Sequence, residues 1–213
     1  MTDKPRKPKQ RKGHVADLTS RLRTAALNRS ASIPDGKLEE VVTYLQMTSV
    51  PTQPRAIQRL TNLAIIRAHN PTVPFYRFLY NTVGEPWLWY ERRVMTDQDL
   101  SEIINDKLVY IYVLYVGGVP AGYVELDARI DDEIEIAFFG LTPEFIGRGL
   151  GQYFLSWAID KAWNFEPNRV WVHTCNHDHP HAIAFYQRAG FVPYRQERNI
   201  IDDPRLLGIM RKS

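Results

Sequence analysis

"EIAFFGLTPEFIGRGLG", Glu135 to Gly151, is the stretch on which the fold turns. Its first half is apolar and aromatic, as a buried strand requires, and its second half sets Gly147, Gly149 and Gly151 where that strand gives way to an amphipathic helix. Glycines let backbone N–H groups at a helix N-terminus approach an anion without Cβ obstruction, and the helix dipole favours the negative charge. Arg148 adds a cation at the same place. The turn reads as a phosphate cradle or as tight strand-to-helix packing. It lacks the Gly-Lys-Ser/Thr ending of a P-loop, and the strands before it do not form the parallel unit of a dinucleotide site.

Those preceding strands lie in "LVYIYVLYVGGVPAGYVELDARIDDEIEIAFFGL", where Gly117 and Gly118 mark one turn and Asp131 and Asp132 another. Three antiparallel strands are expected. A helix follows at about 147 to 163, a strand at 169 to 175, a second helix at 180 to 189 and a final strand pair from Phe191. Upstream, "VVTYLQM" is a short strand, residues 55 to 70 are ambiguous, and "VPFYRFLYNTVG" is a helix ending at Gly84. Thr96 caps another short helix, with Asp99 three residues on. A meander followed by strand, helix and strand implies the α+β class: a mixed, mostly antiparallel sheet with helices on both faces.

The chain has 213 residues, 44% of them hydrophobic, enough for one sizeable core. Residues 1–36 open with Lys4, Arg6, Lys7, Lys9, Arg11 and Lys12 among prolines and read as a basic, solvated arm. Residues 37–213 read as a single domain. The net charge of +3 is too small to call for a nucleic-acid partner, and no run reaches a membrane span. A single cysteine suits a reducing compartment, and the expected location is cytoplasmic.

"HTCNHDHPHAIAFYQRAGF", His173 to Phe191, gathers four of the six histidines with Cys175. On one continuous strand they would share a face and resemble a metal cage. Pro180 breaks that strand and favours a helix start, so the stretch reads as a strand end plus a polar turn capped by Asp178 or His179, and no metal is expected.

Glu135–Gly151 followed some thirty residues on by "AIAFYQRAGF" resembles the GNAT superfamily of acyl-CoA-dependent N-acetyltransferases. The first stretch is similar to the family's glycine-rich CoA signature, Arg/Gln-x-x-Gly-x-Gly, and the second to its late helix. The resemblance covers roughly residues 100 to 200. It implies acetyl-CoA as cosubstrate, with backbone groups of Phe139 and Leu141 toward pantetheine and the N–H groups of Gly147, Arg148, Gly149, Leu150 and Gly151 toward pyrophosphate. Two positions depart from the pattern. Ile146 replaces the leading Arg or Gln, and His179 stands where many relatives have Asn, so His179 becomes a candidate cofactor contact.

Acetyl transfer to an amine needs a neutral nucleophile, a polarised thioester carbonyl and a proton for the departing thiolate. By resemblance, Glu135 matches the catalytic glutamate of the histone acetyltransferase branch, and Tyr186 matches the tyrosine that protonates the CoA thiolate. Glu135 also reads as an ordinary strand-end glutamate, and Tyr186 as a core aromatic. Glu125 and His173 are reserve bases. "FYRFLYNTVGEPWLWYERR", with Trp87, Trp89 and Tyr90, would form the acceptor wall or belong to the core. The implied activity is direct transfer from acetyl-CoA to a small-molecule or peptide amine in a ternary complex. A non-catalytic acyl-CoA-binding protein of the same fold is the alternative, and a homodimer is left open.

Overall fold

The computed structural model describes residues 33–52 and 61–211. The basic stretch read at 1–36 lies outside the described residues except for its last four. Seven strands form one sheet in the order β2-β3-β4-β5-β6-β1-β7: β1 Lys37–Met47, β2 Leu63–Ala68, β3 Val109–Val116, β4 Val119–Asp127, β5 Glu133–Leu141, β6 Arg169–Cys175 and β7 Val192–Asp202. Every pairing is antiparallel except β5 with β6. The meander is β3 to β5, with Gly117 and Gly118 both at positive φ in its first turn. The class is α+β, as the pattern predicts.

Among the described residues, helices α1 Val73–Gly84, α2 Glu91–Val94 and α3 Asp97–Ile104 precede the meander, α4 Leu150–Trp163 follows it, and α5 Ala182–Arg188 follows β6. The Thr96 hydroxyl accepts the Asp99 N–H and caps α3. Alternation along the strands supplies two cores. Leu150, Phe154, Leu155, Ala158 and Ile159 of α4 and Tyr186 of α5 pack on Leu114, Leu126, Ile136, Val170 and Val172 on one face. Tyr76, Leu79, Tyr80 and Val83 of α1, with Leu100 and Ile104 of α3, pack on Ile111, Val113 and Tyr123 on the other.

Two expectations need correction. The final strand pair from Phe191 is a single long strand, β7, whose partner is β1 from the far end of the chain: Lys37 pairs with Asp202 and Tyr44 with Arg195. Beyond Asp202 the chain enters turns from Pro204, and among the described residues no second C-terminal strand follows. The helix expected from 147 begins at Leu150 because Gly147 (φ 80°) and Gly149 (φ 74°) are left-handed, a conformation that ends helical continuity. Of the ambiguous stretch, 63–68 is strand, 61 and 62 are a bend, 69 and 70 lie past the strand, and 55–60 lie outside the described residues.

Candidate active site

The sheet forks. The parallel ladder joins Glu133 to Arg169, Ile134 to Val170, Glu135 to Trp171 and Ile136 to Val172, and stops there. On its other edge β5 continues against β4, but with a bulge: Leu126 faces Ile136 and Glu125 faces Phe138, so Ala137 is an extra residue. The bulge bends β5 away from β6, and a cavity of about 640 Å³ fills the fork. Its lining comes from both faces of the sheet. Leu141, Phe185 and Tyr186 belong to the α4 and α5 side, whereas Val42, Trp89 and Tyr90 belong to the other. The cavity therefore passes through the sheet between the splayed strands.

At the α4 mouth sits the glycine turn. No side chain caps α4 and no acid stands in its first turn, so its leading N–H groups and positive dipole end are uncompensated. A Cβ built on Gly147 or Gly149 would meet nothing within 4 Å. These glycines are needed for their left-handed backbone, and the space before them is open. Gly147, Gly149 and Gly151 line the cavity with Phe139, Leu141 and His179. Two predicted contacts lie off it: Arg148 is exposed with its guanidinium 5.0 Å from the Phe145 ring centre, and the Leu150 side chain is buried in the core, so Leu150 offers only its backbone.

The histidine-rich turn closes the fork. β6 ends at Cys175, which breaks the alternation a cage would need, and the Asp178 carboxylate accepts the Cys175 N–H at 2.9 Å and the Thr174 hydroxyl at 2.7 Å. The other Asp178 oxygen accepts the Trp89 indole N–H at 3.0 Å, and Trp87 lies 5.1 Å from the His179 ring. Leu88 between them is left-handed (φ 59°), which lets both tryptophans turn toward the same stretch. Trp87, Trp89 and Tyr90 all line the cavity. Arg77 holds this wall to α1 by donating to the carbonyls of Arg92, Arg93 and Met95.

Tyr186 is 7% exposed and lines the cavity; burial, then the nearby Asp178 charge, pushes its hydroxyl well above the usual tyrosine range. Glu135 stands back from the cavity and reaches it through His173, whose Nδ1 lies 3.0 Å from Glu135 Oε1. Burial pulls the imidazole down, but the Glu135 hydrogen bond and charge, then Asp178 and Glu91, leave it raised above 6.5. Cys175 is pushed up to about 12 by burial and the Asp178 charge.

Glu125 is excluded as a base reaching the acceptor. Its side chain is 0% exposed, off the cavity, and held by Arg92 Nη2 at 2.8 Å and the Tyr76 hydroxyl at 2.5 Å. It is a buried tie between β4 and the helices, where both carboxylate oxygens are already occupied.

Residues 72–191 match the acetyltransferase (GNAT) family. The chain belongs to the GNAT acetyltransferase family. Solved structures share the fold: a functionally unknown conserved protein from Staphylococcus epidermidis (TM-score 0.57, 19% identity, 88% of this chain and 67% of that one) and GCN5-related N-acetyltransferases from Sphaerobacter thermophilus (0.54, 14%, 85% and 55%) and Kribbella flavida (0.50, 17%, 81% and 63%). This GNAT chain thus spans between about half and two thirds of the length of those proteins. No curated protein sequence matches it.

Sequence reasoning read residues 41–47 as a strand but missed the part β1 takes in the site. Glu40, Val42 and Tyr44 line the cavity because β1 inserts between β6 and β7, placing Tyr44 opposite His173. The alternation in "EVVTYL" signals a strand but not its neighbours. Among the described residues, no group of three or more His, Cys, Asp or Glu side chains is placed to hold a metal, and no helix is long and apolar enough to cross a membrane.

Proposed function

We propose that the protein transfers an acetyl group from acetyl-CoA to an amine by direct attack in a ternary complex. The observation that carries this reading is the cavity through the β5/β6 fork, with an uncapped helix N-terminus at one mouth and an aromatic wall at the other. The glycine turn fits a diphosphate: its N–H groups are uncapped and the approach to Gly147 and Gly149 is free. Gly147 to Gly151 would hold the pyrophosphate by backbone, Phe139 and Leu141 the pantetheine arm, with His179 beside them. Acetyl-CoA supplies the activated thioester.

His173, oriented by Glu135, takes the proton that the amine loses as its lone pair forms the new C–N bond. The geometry supports that division because His173 lines the cavity and Glu135 does not. Tyr186 gives its proton to the sulfur as the C–S bond breaks, a role supported by a hydroxyl that burial keeps protonated.

Calorimetry with CoA and thiol release with an amine panel test the reading. Gly149→Val should lower CoA affinity by tenfold or more, about 1.4 kcal/mol, because the side chain enters the anion's approach. The left-handed backbone adds roughly 1–2 kcal/mol of strain, so folding is checked by thermal melting. Unchanged CoA affinity in a folded Gly149→Val protein would remove the cradle. Absence of thiol release with every amine, despite CoA binding, would reduce the protein to a binder.

A further inference from the structure

The mouth opposite the glycine turn is lined by three carboxylates, Glu40 of β1, Glu91 of α2 and Asp178 of the histidine-rich turn. Among the described residues, each is hydrogen-bonded only to neutral donors. Glu40 accepts Asn199 Nδ2 at 3.3 Å, Glu91 accepts the Tyr80 hydroxyl at 2.8 Å, and Asp178 accepts from Trp89, Thr174 and the Cys175 N–H. Four carboxylates elsewhere do have an arginine: Glu125 has Arg92, Glu133 has Arg169, Asp127 has Arg129 and Asp203 has Arg205. Among the described residues, no Lys or Arg forms an ion pair with Glu40, Glu91 or Asp178. Arg195, which lies 4.8 Å from the Tyr44 ring centre, is held by Glu197.

The carboxylates share one field. The Tyr90 hydroxyl is pushed up by burial and then by Glu91 and Glu40 together, and Asp178 and Glu91 both act on His173. Tyr44, Trp87 and Tyr90 line the same cavity, and an aromatic ring stabilises an ammonium group placed over its face. Arg188, the arginine in the lining, belongs to the last turn of α5, the helix whose Phe185 ring borders Gly151. The two mouths therefore carry opposite demands, for an anion at the glycine turn and for cations at the carboxylates.

One reacting ammonium would satisfy one carboxylate. Three, none of them ion-paired to a Lys or Arg among the described residues, call for additional positive charge. Resting on the acetyltransferase reading above, we propose that the acceptor is a small aliphatic amine bearing at least one further cationic group, selected by Glu40 and Glu91 against the rings of Tyr44, Trp87 and Tyr90. A cavity of about 640 Å³ that also receives the acyl end of the donor has room for a short diamine.

Calorimetry in the presence of CoA provides the test, with 1,4-diaminobutane, butylamine, 4-aminobutyrate and a lysine-containing tetrapeptide as probes. The diamine should bind tenfold or more tighter than butylamine, and 4-aminobutyrate weakest, since close charge pairs across a binding interface contribute on that scale. Glu40→Gln and Glu91→Gln should each erase about tenfold of the diamine's preference while CoA affinity stays at the wild-type value. Equal binding of diamine and butylamine, no binding of either, or a preference that survives both substitutions would overturn the proposal. Tighter binding of the tetrapeptide would overturn the small-molecule assignment. CoA is titrated first, so its failure to bind counts against the acetyltransferase reading, whereas CoA binding without diamine preference counts against this inference alone. Both glutamine variants keep side-chain size, and the conserved CoA affinity certifies their folding.

Discussion

Tyr186 sits where two requirements meet, because its ring is core and its hydroxyl belongs to the cavity. Tyr186→Phe keeps the ring's packing against Phe191 and removes only the hydroxyl, the proposed proton donor. Turnover should fall by ~10²-fold or more while CoA affinity, read by calorimetry, is nearly unchanged, because the proton matters only as charge develops on sulfur. A melting temperature measured alongside detects any structural role of the hydroxyl, worth about 1 kcal/mol for one hydrogen bond. The Glu135–His173 pair gives a second residue-scale test. A general base must be unprotonated, and the imidazole is raised above 6.5 through Glu135, so kcat should fall on acidification with a limb above pH 6.5. Glu135→Gln removes the charge that stabilises the imidazolium, so the limb should move to lower pH and kcat at neutral pH should drop through lost orientation. Comparing both proteins on one acceptor cancels the acceptor's own titration. A limb that stays in place in Glu135→Gln would separate Glu135 from the base.

At the scale of elements, β1 is the least expected piece. It is interior to the sheet, paired with β6 on one side and along nearly its whole length with β7 on the other, and it contributes fully buried Leu45 to the larger core. A chain lacking residues 1–13 should melt as the whole chain does, because that stretch has too few apolar residues to pack. A chain lacking residues 1–47 should show no cooperative transition, since β7 then loses its partner and β6 becomes an edge. Much of this architecture is legible locally. Alternation and paired glycines mark the meander, the apolar spacing of Leu150, Phe154, Leu155, Ala158 and Ile159 marks α4, and Pro180 separates the histidines from a strand. The neighbour of β1 is not legible, because Tyr44 meets His173 and Arg195 across well over a hundred residues and strand alternation encodes a face, not a partner. The same gap hides the site's acceptor side: the glycine turn and Tyr186 announce themselves by motif, whereas Glu40 gains meaning only once β1 lies beside β6.

Considered as a whole molecule, the fork would let the proposed donor and acceptor approach one another from opposite faces of the sheet, and this geometry bears on the order of events. A ternary complex requires both partners to be present together. A covalent acetyl-enzyme would instead require a nucleophile in the cavity. Cys175 is the sole thiol, and it lines the cavity, so it is the natural rival. Its thiol is pushed up to about 12 by burial and by the Asp178 carboxylate, so at neutral pH the thiolate that would attack is scarcely populated. The Asp178 oxygen that accepts the Cys175 N–H brings negative charge to its side. Initial-rate kinetics should therefore give intersecting double-reciprocal lines for the two substrates, and Cys175→Ala should retain turnover on the order of the wild type. Mass spectrometry of the protein after incubation with acetyl-CoA alone should show no added acetyl group at Cys175. Parallel lines, together with an acetylated Cys175 and an inactive alanine variant, would replace direct transfer by a two-step mechanism and make Asp178 a feature that the thiol overcomes.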